Sequence, residues 1–206
     1  MSFDTGRPRV ARYGKEHKEA TRRRIVEAAG RRFKRDGIDG SGIAALMADA
    51  GLTNGAFYAH FDSKDDLVAT TVADQLREQR ETYWQRPGVG VEQLVREYLS
   101  VRHRDDPEHG CPSAALLDEI GRCPTSTKQA YTEGMLSIAD EIASGLAPDD
   151  PESARATTLS LFALLIGTLQ LSRALADRQL ADEVLEQGIE NALALLSDTP
   201  HHIDLT

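Results

Sequence analysis

Thr53, Asn54, Tyr58, His60 and Lys64 bring a hydroxyl, a carboxamide, a phenol, an imidazole and an ammonium into one short stretch, with Gly55 and Ala56 between them. Thr and Asn can hydrogen-bond base edges, and the two small residues let a backbone approach a duplex closely. Tyr, His and Lys suit phosphate oxygens, which position a protein on nucleic acid without reading its sequence. Ser41 and Gly42 precede an apolar run, where the free N–H groups of a helix start also suit a phosphate. Taken alone, Thr53 is equally consistent with a plain cap and Tyr58 with a core aromatic. Phe57 and Phe61 read as packing residues.

These groups need a frame, and the surrounding pattern supplies one. Ile43, Leu46, Met47 and Ala50 recur at helical spacing and run into Gly51, which can leave a helix through a left-handed turn. Leu52 plugs the corner, Thr53 can cap a second short helix, and that helix carries Ala56, Phe57 and Phe61. Two short helices joined by a tight turn make a helix-turn-helix, whose second helix fits a DNA major groove. Upstream, Ile25, Ala28, Ala29 and Phe33 predict a helix over 18–36, closed by Gly37. Downstream, Ser63 and Asp66 make a capping-box-like pair opening a long helix toward Trp84, which Pro87-Gly88 ends.

The run from Lys18 to Leu67 resembles the N-terminal domain of the TetR/AcrR family of bacterial one-component repressors. Three features carry the likeness: Phe33-Lys34-Arg35-Asp36-Gly37, then Gly51-Leu52-Thr53-Asn54-Gly55-Ala56-Phe57-Tyr58-Ala59-His60-Phe61, then Ser63-Lys64-Asp65-Asp66-Leu67. More loosely, 169–176 with 183–185 resemble the family's final helices. Met47 departs from the pattern, since a small residue is usual there, and its side chain must find room between the two helices. The resemblance places Tyr58, His60 and Lys64 at the DNA backbone. It implies an all-α protein with a helical body that holds a small, often lipophilic, effector. It further implies a homodimer on a palindromic operator in double-stranded DNA, with repression relieved when the effector shifts the long fourth helix; two cysteines without metal-type spacing suggest a reducing, cytoplasmic compartment. Arg22, Arg23 and Arg24 either add phosphate contacts, as the start of helix one does in the family, or form a solvated face.

Charge agrees with a nucleic-acid partner once it is divided. The net charge is −9. Residues 1–64 hold 13 Lys/Arg against 8 Asp/Glu, whereas residues 65–206 hold 11 against 25. A basic head on an acidic body suits DNA at one end only. The N-terminus is polar and basic, unlike a signal peptide. The most apolar run, 157–171, is interrupted by Ser160, Gly167, Thr168 and Gln170, which favours a buried helix over a membrane span.

The rest of the chain predicts helices over 91–104, 113–123, 126–146, 150–176 and 182–197, nine helices in all with no strand pattern. Boundaries follow: a flexible basic arm over 1–17, a DNA-binding head over 18–62, an effector-binding and dimerisation body over 63–197, and a tail over 198–206. Leu94, Tyr98, Cys111, Leu116, Tyr131, Met135, Phe162, Leu165 and Gln170 are the expected effector-pocket residues. A dimer interface is expected from helices eight and nine. Leu161, Leu164, Gly167, Thr168 and Leu171 form one stripe, and Leu185, Gly188, Ile189, Ala192 and Leu196 the other.

Other chemistry is thin. Cys111 and Cys123 bracket a predicted helix, which separates them by about 18 Å, whereas a disulfide needs Cα atoms within about 7 Å. A helix start lowers a thiol's pKa, so Cys111 is either an electrophile or redox sensor or a buried small residue. Gly110-Cys111-Pro112 also resembles a turn before helix six in one branch of the family. His103, His109, Asp105, Asp106 and Glu108 match no standard metal spacing and read as a solvated acidic loop, and His201 and His202 sit in a short tail expected to be disordered. Asp118 and Glu119 are adjacent, so on a helix they point apart. No nucleophile elbow, phosphate loop or dinucleotide fingerprint is present, so no enzyme and no cofactor is expected. The rival readings are a helical effector-binding protein without a DNA role and an enzyme using a body cavity.

Overall fold

The protein's structure is a computed structural model that describes the backbone of residues 8–197 and side chains from Glu16 onward. Residues 1–7 and 198–206 lie outside the described residues, with the front of the expected arm and the whole expected tail. Among the described residues there are nine α-helices, four short 3₁₀ or π turns and no strand. The helices are α1 (Pro8–Asp36), α2 (Ile43–Asp49), α3 (Lys64–Gln79), α4 (Val91–Tyr98), α5 (Val101–Asp105), α6 (Pro112–Ile120), α7 (Thr125–Leu146), α8 (Arg155–Ala174) and α9 (Arg178–Ser197).

Helix α1 begins ten residues before the expected start. Proline is tolerated in a first turn, and only Gly14 disfavours a helix between it and Lys18. Its inward face, Ile25, Ala28, Ala29 and Phe33, is buried against α2 and α3. Gly37 ends it at φ +80° and Gly51 ends α2 at φ +67°, both in the region glycine favours. At the second turn the Leu52 N–H reaches back to the Met47 carbonyl at 2.8 Å, closing the helix end. Met47 is fully buried, so its long side chain is absorbed between the two helices. Ser63 accepts from the Asp66 N–H, and Asp66 accepts in return from the N–H of Asp62, one residue earlier than a capping box would have it.

The body is organised around α3, which packs along α7. At Gly134 the two helices are so close that a Cβ would strike Leu76. A π turn at Arg80–Trp84 extends α3 and buries Trp84 beside Tyr83 and Tyr98.

Two expectations change. The helix expected over 91–104 is broken at Leu99 (φ −89°, ψ 42°), and Ser100 caps α5 by accepting from the His103 N–H. The Tyr98 carbonyl freed by the break accepts from His103 Nδ1 at 2.8 Å. The expected dimer stripes are also largely intramolecular. Leu161, Leu185, Gly188, Ala192 and Leu196 are buried within the protomer, where α8 packs on α9, and a Cβ at Gly188 would strike Thr168. Leu164, Thr168 and Ile189 are half-buried, and only Gly167 and Leu171 are exposed. The exposed side of α8 is instead Leu159, Ala163, Gly167, Leu171 and Ala174. Together with the turn before it, α8 is long and apolar enough to cross a membrane by length and composition, and its inner side is spent on α7 and α9.

Candidate nucleic-acid interface

The segment expected to read DNA is a 3₁₀ helix, Asn54–Ala59, rather than an α-helix. Phe57 and Phe61 anchor it, both buried, with ring centroids 5.8 Å apart. The Arg22 guanidinium lies 4.5 Å above the Phe61 ring and donates to Thr70 Oγ1. The 3₁₀ repeat of three stacks Gly55 and Tyr58 on one side, and Tyr58 is 70 % exposed there. Its ring edge still touches Phe57, at 5.2 Å between centroids, which holds the phenol outward. Thr53, Asn54 and Gly55 are exposed as well, and Ala56 is half-buried.

Two expected roles are corrected here. Thr53 does not cap through its side chain; the turn is closed by the Ala56 N–H donating to the Thr53 carbonyl at 3.0 Å. Its hydroxyl therefore stays outward. Ser41 is fully buried, its hydroxyl donates to the Gly37 carbonyl at 2.6 Å and its N–H to Ile38, so it closes the α1–α2 turn. Gly42 beside it is exposed and meets nothing within 4 Å of a Cβ position, and Gly55 is equally open.

His60 and Lys64 are half-buried at the edge of this surface. Burial, then the positive charges of Lys18 and Arg22, hold the His60 pKa below its usual value, so its ring is neutral at neutral pH. Its Nδ1 is buried without a hydrogen-bond partner among the described residues. The arginine run divides by task. Arg24 donates to the Ala50 carbonyl at 2.6 Å and caps α2, Arg22 is tied to Phe61 and Thr70, and Arg23 is exposed.

Sequence reasoning missed the contacts that fix the head on the body. Glu119 Oε2 accepts from the N–H groups of Ile38 (2.8 Å) and Asp39 (3.1 Å), joining α6 to the α1–α2 turn. Lys34 donates to the Gly110 carbonyl at 3.0 Å, and Arg35 pairs with Glu108. Only Gly37, with φ > 0 and Glu119 where a Cβ would sit, signals in sequence that something docks there.

Residues 25–71 match the family model for bacterial regulatory proteins of the tetR family. The chain carries a tetR-family regulatory domain at residues 25–71. The chain is 25 % identical to the HTH-type transcriptional regulator TtgR of Pseudomonas putida, across 93 % of this chain and 98 % of that one. It is 39 % identical to the probable HTH-type transcriptional regulator ArpR of Pseudomonas putida over 34 % of this chain and 32 % of that one. In fold it is similar to E. coli NemR in its reduced form, with a TM-score of 0.69 at 18 % identity, across 88 % and 98 % of the two chains. A TetR-family regulator from Cytophaga hutchinsonii gives a TM-score of 0.69 at 19 % identity, across 89 % and 96 %.

In the body the nine expected effector residues do not meet in one pocket. Leu94, Leu116, Phe162 and Leu165 are buried core, and Met135 and Gln170 are half-buried. Tyr131 is half-buried and donates to Ser113 Oγ at 3.1 Å. Tyr98 and Cys111 line an open cleft of about 1470 Å³, bounded by α1, α3 and residues 93–112. Cys111 is the N-cap residue of α6 and is almost fully buried. Its N–H donates to His103 Nε2 at 2.9 Å and its thiol to Gln79 Oε1 at 3.4 Å. His103 thus carries its proton on Nδ1, and burial lowers its pKa to about 4. Arg173 of α8 donates to the carbonyls of His103, Arg104 and Ala114, fixing the loop from the far side. Asp106, Glu108 and His109 do converge on this loop, but His109 bonds Asp106 and Glu108 pairs with Arg35.

Proposed function

We propose that the chain is an effector-responsive transcriptional repressor that binds a palindromic operator as a homodimer in the cytoplasm. One observation carries this reading. Thr53, Asn54 and Tyr58 stand outward at and along the short second helix with no side-chain hydrogen bond among the described residues, while Phe57 and Phe61 hold that helix in place. Asn54 and Thr53 are the base-reading pair, and Tyr58, Lys64 and the backbone at Gly42 are the phosphate contacts. His60, neutral and half-buried, offers a ring N–H rather than a charge.

Dimerisation assigns to the exposed side of α8, where Ala163, Gly167 and Ala174 are small enough for close packing and Leu159 and Leu171 supply apolar surface. Regulation needs an effector that binds two arrangements of head and body unequally. Glu119 on the α1–α2 turn and Lys34 on Gly110 are the bonds whose rearrangement would move the heads. No residue set among those described calls for an enzymatic role, and the family's proteins are regulators. The test is a gel shift with the DNA upstream of the protein's own gene beside a scrambled duplex. A shift of the upstream duplex alone supports the reading; equal shifts, or none, refute it in favour of a helical effector-binding protein.

A further inference from the structure

The chain has two asparagines, Asn54 and Asn191, and they sit in opposite settings. Asn191 lies inside α9, where its side chain accepts from Gln187 Nε2 at 3.3 Å and the next residue, Ala192, is fully buried. Asn54 is exposed, its carboxamide makes no hydrogen bond among the described residues, and the next residue is glycine. Asn54-Gly55 is the only such pair in the sequence. An asparagine before glycine is chemically exposed in a particular way. The following backbone nitrogen can reach the carboxamide carbon, and glycine has neither a side chain to block the approach nor a narrow range of backbone angles.

The structure leaves that nitrogen free. The Gly55 N–H makes no hydrogen bond among the described residues, because the first bond of the turn runs from the Ala56 N–H to the Thr53 carbonyl. Nothing described lies within 4 Å of a Cβ position at Gly55, so the backbone there has room to turn. Bringing nitrogen and carboxamide together needs a rotation about the Asn54 Cα–C bond. That rotation opens the first bonds of a short exposed turn, where local opening costs least. Asp36-Gly37 shows the opposite arrangement. There the Gly37 N–H donates to the Phe33 carbonyl at 2.8 Å, and the Asp36 carboxylate pairs with Arg32 and Arg35.

We propose that Asn54-Gly55 is a self-modifying site, which converts the outward carboxamide of the second short helix into a carboxylate. The Gly55 nitrogen gives up its proton and bonds to Asn54 Cγ; the Cγ–Nδ2 bond breaks, and the amide leaves as ammonia with that proton. The product is a five-membered imide. Water then adds at one of its two carbonyl carbons and breaks the C–N bond there. Opening at Cγ gives aspartate at 54; opening at the main-chain carbonyl gives isoaspartate, whose chain runs through the side-chain carbons. Only water is consumed, and either product is one mass unit heavier and carries one more negative charge. The carboxylate then stands on the same exposed face as Tyr58. The effect on DNA rests on the repressor reading, and the chemistry does not. In that reading each copy loses its operator with age, so occupancy follows the supply of newly made chain.

The experiment uses the full chain, incubated in mildly alkaline buffer and sampled over time by tryptic digestion and mass spectrometry. The peptide over 36–64 holds no other asparagine and no glutamine, so its gain of one mass unit reports Asn54 alone. That gain should run at least about tenfold faster than the gain at Asn191, and Gly55→Ala should slow it about tenfold. Aged chain, separated from unaged by anion exchange, and freshly made Asn54→Asp should both bind the upstream duplex at least about tenfold more weakly. Equal rates at Asn54 and Asn191, an unchanged rate in Gly55→Ala, or aged chain with full operator affinity overturns the proposal. If fresh chain does not shift the upstream duplex, the repressor reading falls and the mass gain still decides the modification.

Discussion

Gly55→Ala separates folding from DNA contact, because the structure assigns opposite signs to the two. Among the described residues no heavy atom lies within 4 Å of a Cβ at Gly55, and its φ is not positive. Inside the protein an alanine there meets nothing and restricts the unfolded chain, so it stabilises by about 0.4–1 kcal/mol. For a domain of this size that raises the melting temperature by roughly 1–4 °C. On the duplex the same methyl occupies the gap through which the recognition helix approaches the bases. An added methyl in a tight contact costs about 1–3 kcal/mol, a loss of roughly 5- to 150-fold in operator affinity. Thermal melting and fluorescence anisotropy on a labelled upstream duplex, run on the same preparation, give both numbers. A lower melting temperature refutes the open-space argument. An unchanged affinity with a raised melting temperature shows that Gly55 does not face the duplex closely, and the recognition surface must be redrawn.

Tyr58→Ala and Lys64→Ala should each weaken binding to specific and scrambled DNA alike, by about 1 kcal/mol, and Lys64→Ala should also reduce the salt slope by about 1. Asn54→Ala should cost about 1–3 kcal/mol on the operator and relax base preference, measured by competition with single-base operator variants. Leu171→Glu should give a folded monomer with weak operator binding by light scattering and gel shift, whereas Leu185→Glu, placed in the core, should unfold the protomer. Stability should fall as pH drops from about 6.5 toward 4. The folded pKa of His103 is depressed to about 4, so the unfolded state takes up the proton first and gains on the order of 2–3 kcal/mol. Urea titrations across this range should show the loss, and His103→Gln, which cannot be protonated, should reduce it.

The head was legible because its signals are local. Gly37 and Gly51 mark left-handed turns, Ser63 with Asp66 marks a helix start, and Phe57 and Phe61 fall at core spacing, all within reach of a few neighbours. Even there, periodicity could not tell a 3₁₀ turn from an α-helix over six residues, nor foresee that Ser41 would turn inward. The body was harder because its contacts are long in sequence. An apolar stripe announces burial but not the partner, so Leu185, Gly188 and Ala192 read as interface although α8 of the same chain covers them. The break at Leu99 has no glycine or proline to announce it; the His103 ring makes it tolerable by taking the Tyr98 carbonyl. The cleft was invisible for the same reason. Lys34, Tyr98 and Cys111 are far apart in the chain and meet only after α1 and α6 have docked.

The central claim is that the exposed face of the second short helix puts this chain on a specific operator. The most direct measurement is the dissociation constant on the upstream duplex and on a scrambled one, across a salt series from low to physiological ionic strength. Operator recognition by this face predicts a steep linear fall of log affinity with log salt, with a slope of about −4 or steeper from the paired heads. It also predicts at least a thousandfold preference for the upstream duplex at physiological salt. A slope near zero, or equal affinity for both duplexes, contradicts it.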